Sequence, residues 1–248
     1  MKTKVFFAFL LTLALCGCQQ SNDLKVLALN GPVKSIKSNV YAALITESGD
    51  VTKGEQLRWR FWENQFCTFN TRGNKTLEYW CYSENEVESK YIYSYDENGV
   101  RIGMHRYTPE GDLIISSNYK YNRRGNRIEM NRFDNKGNFV CKFYFKYDMN
   151  DHIKEQTQFD AKGNFLTRYE YEMDKNGDQK EMKQYNAKNE LENRYVFTYT
   201  YDSLANWVTR TAYVNGVPTY YMERKIQYYS DNDTSISNEE DTNTAVWQ

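Results

Sequence analysis

From Tyr91 onward, apolar and polar positions alternate in short runs. Tyr91, Tyr93 and Tyr95 share one face of an extended chain, as do Tyr119 and Tyr121; Cys141, Phe143, Phe145 and Tyr147; Tyr169, Tyr171 and Met173; and Tyr195, Phe197, Tyr199 and Tyr201. Their neighbours Lys142, Lys146, Arg168, Glu170, Glu172, Thr198 and Thr200 point the other way. A period of two predicts strands with one buried face. Between these strands, shorter segments carry Ile102, Met104, Ile128 and Met130 on one face and Glu129, Glu155 and Glu181 on the other. Upstream, Gly31 to Ile45 and Glu55 to Phe69 are predicted as longer opening strands joined by the loop Thr46 to Gly54, with further turns near Asn70 to Gly73 and Ser83 to Glu86.

The strands are punctuated by a repeated turn after an aromatic residue, as in Tyr95-Asp96-Glu97-Asn98-Gly99 and Phe133-Asp134-Asn135-Lys136-Gly137. The first turn positions are 96, 108, 122, 134, 148, 160, 174, 186 and 202, so the steps alternate between 12 and 14 residues before a final 16. A 26-residue unit with two hairpin turns therefore repeats along the chain. Asp, Asn or Thr at the first position can bond forward to the turn backbone, and Gly, Asn or Asp at the fourth tolerates positive φ.

Composition agrees with strands. Without residues 1–17 the chain keeps 22 Tyr beside only 10 Leu and 8 Ala, which argues against a helical protein. Losing Lys2 and Lys4 with that segment leaves 30 basic against 33 acidic side chains. A domain that binds nucleic-acid backbone carries a positive excess, so no nucleic-acid partner is expected.

Met1-Lys2-Thr3-Lys4 and the apolar run Val5 to Leu15 form a secretion signal too short to span a bilayer. Its end, Leu15-Cys16-Gly17-Cys18, resembles the lipobox of bacterial lipoproteins, with small Gly17 before the cut. The resemblance implies lipid attachment at Cys18, and Gln19 after it implies outer-membrane sorting. The domain reading is a signal peptide at 1–17, a tether at 18–30, a repeat β-sheet domain at 31–229 and a disordered acidic tail at 230–248. Cys67, Cys81 and Cys141 are expected as free thiols, since a hairpin at Asn70 to Gly73 sets Cys67 opposite Thr76 to Tyr79 and not opposite Cys81.

The aromatic-x-Tyr-Asp-x-x-Gly signature over residues 91–213 resembles the tyrosine-aspartate, or RHS-type, repeats of exported bacterial proteins. That family implies a continuous antiparallel meander that curls, and long arrays that form a shell around cargo. With about five units here, a closed cocoon is not expected. Leu29-Asn30-Gly31-Pro32-Val33-Lys34-Ser35 also resembles the start of small repeat-bearing lipoproteins. The fold expected is all-β: one antiparallel β-meander of about fourteen strands, curled into an open or barrel-like sheet. A membrane-spanning barrel is disfavoured because Arg101 and Arg127, set against Arg106 and Arg132, place charge on both faces of the short strands.

Catalytic motifs are missing. No dinucleotide or nucleophile-elbow motif is present, and Gly49 to Gly54 continues with Glu55 where a phosphate loop needs Lys. His105 and His152 stand alone, and Asp174 to Asp178 lacks the glycine and glutamate placement of a calcium loop, so no metal or cofactor is expected. The column Glu129, Glu155, Glu181 is the one candidate for paired-carboxylate glycan chemistry. Trp59, Phe61 and Trp62, with Trp80 nearby, break the repeat and form the candidate ligand surface. The leading expectation is a non-enzymatic, outer-membrane-anchored module for a glycan, peptide or protein partner. The alternatives are a carrier of a lipid or hydrophobic ligand in the concave face, and a glycan-processing enzyme.

Overall fold

The computed structural model describes residues 22–58, 64–83 and 86–230. One helical turn, α1 (Asp23–Val26), precedes fifteen strands. They are β1 (Val33–Ile45), β2 (Val51–Gln56), β3 (Gln65–Phe69), β4 (Lys75–Ser83), β5 (Glu86–Tyr95), β6 (Arg101–Tyr107), β7 (Leu113–Tyr121) and β8 (Arg127–Asp134). There follow β9 (Phe139–Tyr147), β10 (Ile153–Asp160), β11 (Phe165–Met173), β12 (Gln179–Tyr185), β13 (Leu191–Tyr201), β14 (Trp207–Val214) and β15 (Val217–Tyr228). Each strand from β3 to β15 pairs antiparallel with its sequence neighbour, and β1 closes the sheet by pairing with both β3 and β15. The closing register runs from Val33 opposite Tyr228 to Ala42 opposite Tyr220. The meander is thus a closed barrel of fourteen strands, with β2 as an extra strand beside the end of β1.

All nine turns of the repeat form as their residue types require. At Asp96 the carboxylate accepts the amides of Asn98 and Val100, while the Gly99 amide donates to the Asp96 carbonyl. That geometry puts Gly99 at φ 79°, where a side chain is strained. Three turns carry another residue there: Asp151 (φ 66°), Asn189 (φ 62°) and Ala205 (φ 60°). Asn and Asp tolerate this region but Ala does not. Ala205→Gly is therefore expected to stabilise the barrel by about 1 kcal/mol, and Asn189→Gly by less, read from denaturation midpoints.

The aromatic residue before the turn has a second task. Tyr95, Tyr121 and Tyr147 donate from their hydroxyls to the carbonyls of Lys75, Arg101 and Arg127, each 20 residues back at the start of the neighbouring strand. At the last long strand the same bond, to the Gln179 carbonyl, comes from Tyr199, two residues before Tyr201, which adjoins the turn. Each ring thus seals a strand end whose carbonyl lies at the edge of the ladder.

Two expectations change. Arg101, Arg106, Arg127 and Arg132 do not divide between faces. Arg101 lies 4.0 Å from the Tyr93 ring, Arg106 5.8 Å from Tyr91, Arg127 4.4 Å from Phe145 and Arg132 4.7 Å from Phe143, all on the aromatic inner face. A bulge after the turn explains this: Tyr95 pairs with Arg101 while Ser94 pairs with Gly103, so one extra residue reverses the alternation. The same bulge turns Ile102 and Ile128 outward, 51% and 37% exposed, away from buried Met104 and Met130. The second opening strand is also placed differently: β2 (Val51–Gln56) takes up part of the expected loop, Leu57 bonds to the Val40 carbonyl, and β3 pairs with β1 from Gln65.

The inner face is filled by its own side chains. Val40, Met182, Tyr195, Phe197, Trp207, Ala212 and Met222 form one cluster, and Met130, Cys141, Phe143 and Phe145 another, each residue under a tenth exposed. The concave space that a hydrophobic-ligand carrier needs is occupied there. Cys67, Cys81 and Cys141 are free and buried, and Cys67 sits opposite Glu78, inside the expected window. Burial pushes the Cys67 and Cys81 thiols up to about 11.

Candidate functional site at the barrel mouth

One barrel end is built from the turns at 70–74, 96–100, 122–126, 148–152, 174–178 and 202–206, together with residues 22–31 and 229. Residues 22–31 cross this mouth. Part of the segment expected as a tether, Asn22 to Asn30, is therefore folded onto the barrel. Asn22 caps α1 by accepting the Lys25 amide, and its Nδ2 donates to the Arg72 carbonyl at 2.8 Å. The Leu24 amide donates to the Gly73 carbonyl at 3.1 Å. A Cβ on Gly73 would stand 2.5 Å from Asn22 Nδ2, so the segment comes this close only because that residue is glycine.

Asp23 is the centre of the attachment and is 9% exposed. Its Oδ2 accepts the Lys75 amide at 2.7 Å and the Tyr95 hydroxyl at 2.6 Å, and its Oδ1 pairs with Arg101. At the far side Asn206, 1% exposed, accepts the Asn30 amide at 2.7 Å and donates to the Asn30 carbonyl at 2.9 Å. Leu24, Leu27 and Leu29 pack with Val33, Ile36, Cys67 and Phe69. The segment is held at both ends and along one apolar flank.

Beneath α1 lies a cavity of about 300 Å³, lined among others by Arg101, Arg127, Tyr121, Tyr147, His152 and Met173. Tyr121 and Tyr147 spend their hydroxyls on strand carbonyls and so offer ring surface to the cavity. Arg124 is engaged by Asp151 at 2.9 Å, and Arg101 by Asp23. Arg127 has no carboxylate within ion-pair distance among the described residues. Its Nε, like that of Arg101, is buried without a hydrogen-bond partner, and its guanidinium rests between Phe145 at 4.4 Å and Tyr119 at 5.3 Å. The cavity offers recognition by one positive fork and aromatic walls.

Of the residues that the sequence singled out, Cys18, Trp59, Phe61 and Trp62 lie outside the described residues. Trp80 is half-buried in β4, its Nε1 donating to Glu78 at 2.5 Å and its ring 5.4 Å from Tyr91. It does not line the mouth cavity. Glu129, Glu155 and Glu181 stand on the outer wall, each with a cation: Lys120 at 2.9 Å, Lys146 at 2.8 Å and Arg194 at 2.5 Å. The Lys120 and Arg194 hydrogen bonds draw Glu129 and Glu181 below the ordinary glutamate range. For Glu155 burial pushes upward, and Lys146, Thr157 and Arg168 together outweigh it. All three are thus held as carboxylates, each largely covered by its neighbours and balanced by a cation that is open to water. Glu155→Gln is expected to change stability by no more than about 1 kcal/mol in a denaturant titration, because its partner Lys146 is open to water and the amide keeps an acceptor. Among the described residues, no three His, Cys, Asp or Glu side chains are placed to hold a metal ion.

Sequence reasoning missed Asp23 and Arg127. Asp23 sits in a polar run that reads as a spacer. The signal for Arg127 was present: Arg101 and Arg127 are one period apart, each opening a short strand.

No family model and no curated protein matches the chain. Among solved structures it is similar to a porin-like protein from Bacteroides uniformis, at 12% identity over 80% of this chain and 98% of that one, with a TM-score of 0.44. It is also similar to a porin-like protein from Bacteroides vulgatus, at 10% identity over 79% and 98%, with a TM-score of 0.37. A Photorhabdus luminescens Tc holotoxin pore is matched at 12% identity over 75% of this chain, which spans only 11% of that one, with a TM-score of 0.28. At these scores the likenesses carry nothing about role.

Proposed function

We propose that the chain is a non-enzymatic binding module of the bacterial outer membrane, anchored through Cys18, whose ligand site is the barrel mouth beneath α1. The observation that carries this reading is the cavity of about 300 Å³ under a segment latched at Asp23 and Asn206. A packed barrel with one roofed opening suits capture of a small group better than carriage of a long apolar chain. The anchor adds direction. Cys18 is four residues before Asn22, a reach of at most roughly 14 Å, so a lipid on Cys18 would turn this mouth toward the membrane.

Two measurements test the reading. Labelled palmitate should enter the chain and be abolished by Cys18→Ser; label retained by that variant refutes the anchor. A ligand-observed magnetic resonance screen of glycans, peptides and small acids should give binders that are lost in Met173→Trp, which fills the cavity. Binders indifferent to that change place the ligand elsewhere.

A further inference from the structure

The charges inside the barrel do not balance near the mouth. Three of the inward cations have carboxylates: Lys75 has Glu78, Arg101 has Asp23 and Arg106 has Glu88. Arg127 and Arg132, both on β8, have none within ion-pair distance among the described residues, and the Nε of each is buried without a partner. Burial pushes the Tyr119 hydroxyl up, and Arg101, Arg127 and Arg132 pull it back; the Arg127 guanidinium lies 5.3 Å from the Tyr119 ring. Two half-buried guanidiniums on β8 therefore have no carboxylate beside them. A guanidinium partly withdrawn from water without a carboxylate is unfavourably placed, and the rings on either side of Arg127 offset only part of that.

Arg127 lines the cavity, whereas Arg132 lies deeper, beside Phe143. The cavity wall also carries Tyr121, Tyr147 and Met173, and its carboxylates, Asp23 and Asp151, are paired with Arg101 and Arg124. A guanidinium fork matches the paired oxygens of a phosphate or carboxylate, and a charge-assisted contact there would neutralise a group the fold leaves uncompensated. From this we infer that the mouth cavity binds an oxyanion, a phosphate or carboxylate group on a compact, ring-bearing or apolar body, with Arg127 as its principal contact. The inference rests on the mouth being the ligand site and adds the chemical class. A free metabolite and a lipid headgroup present the same oxyanion.

The test uses the full chain and calorimetric titration with phenyl phosphate, benzoate and neutral phenol, beside vesicles of phosphatidylglycerol and of phosphatidylcholine. Phenyl phosphate or benzoate should bind and phenol should not. Arg127→Met, which keeps an apolar stem against Phe145, should weaken binding by at least ~10-fold, and the exposed control Arg123→Met should not. If Arg127→Met fails to fold, Arg127→Lys serves: it keeps the charge, loses the fork and should give a smaller loss. Binding to phosphatidylglycerol vesicles alone, dependent on Arg127, assigns the oxyanion to a headgroup. Phenol binding as tightly as phenyl phosphate, or affinity unchanged in Arg127→Met, overturns the anionic class. If that binding is still lost in Met173→Trp, the cavity itself stands as the site. Failure of every probe to bind the folded chain overturns the inference.

Discussion

Glu78→Ala is expected to lower the unfolding free energy by about 3–5 kcal/mol, the range for breaking one partner of a buried ion pair. Glu78 is 4% exposed and Lys75 9%, with Oε2 and Nζ 2.5 Å apart. The same carboxylate accepts the Trp80 Nε1–H and the Tyr93 hydroxyl, both at 2.5 Å. Removal would leave one buried ammonium and two buried donors without acceptors. Glu78→Gln should cost less, because it keeps an acceptor while losing the charge.

This pair also sets a pH dependence. For Glu78 burial pushes upward, but Lys75 and the donors from Tyr93 and Trp80 outweigh it and hold the carboxyl below the ordinary 4.5. For Lys75 burial pushes downward, and Glu78 outweighs it, holding the ammonium above the ordinary 10.5. A depressed carboxyl gives stability that is complete above 4.5 and lost as pH falls through the folded value. A raised ammonium gives stability that is complete below 10.5 and lost as pH rises through the folded value. The pair's contribution should thus be flat across the neutral range and fall at both extremes. Urea midpoints in Glu78→Ala should lack that share of the acid fall.

Asp23→Ala is expected to release the mouth segment while leaving the barrel folded. The change removes the acceptor of the Lys75 amide and of the Tyr95 hydroxyl, and strips Arg101 of its carboxylate. Losses of this kind sum to about 3 kcal/mol, or on the order of 100-fold in the opening equilibrium. Because the segment can lift and admit water to Arg101, the global melting point should fall far less than in Glu78→Ala. Tryptic cleavage after exposed Lys25 reads the opening directly and should accelerate by a similar factor. Equal cleavage of both proteins would mean that Asp23 is not the latch.

The repeat was legible because its chemistry is local. Each Asp or Asn bonds the amides two and four residues on, so turn positions could be read from residue types and spacing alone. Face assignment on the long strands was legible for the same reason. It failed at Arg101 and Ile102 because the bulge after each turn shifts the alternation by one, and a bulge has no residue signature at those positions. Closure depends on β1 meeting β15 across nearly two hundred residues, a pairing that open and closed sheets share in sequence. The mouth segment was least legible. Asn22-Asp23 is polar in sequence, yet Asp23 is buried because its partners, Lys75, Tyr95 and Arg101, arrive from three different strands. The column of glutamates misled in the opposite sense, since spacing alone does not show that each has its own cation.

Amide hydrogen exchange across Leu24 to Leu29 of the full chain tests the roofed mouth most directly. The Leu24 amide donates to Gly73, Val26 to Asn22, Leu27 to Asp23, Ala28 to Lys25 and Leu29 to Leu24. These amides should exchange well below unstructured-chain rates, though faster than those of the paired strands, and should slow further when phenyl phosphate fills the cavity. Exchange at unstructured-chain rates, unchanged by any ligand, would contradict the account and return residues 22–30 to the role of a tether.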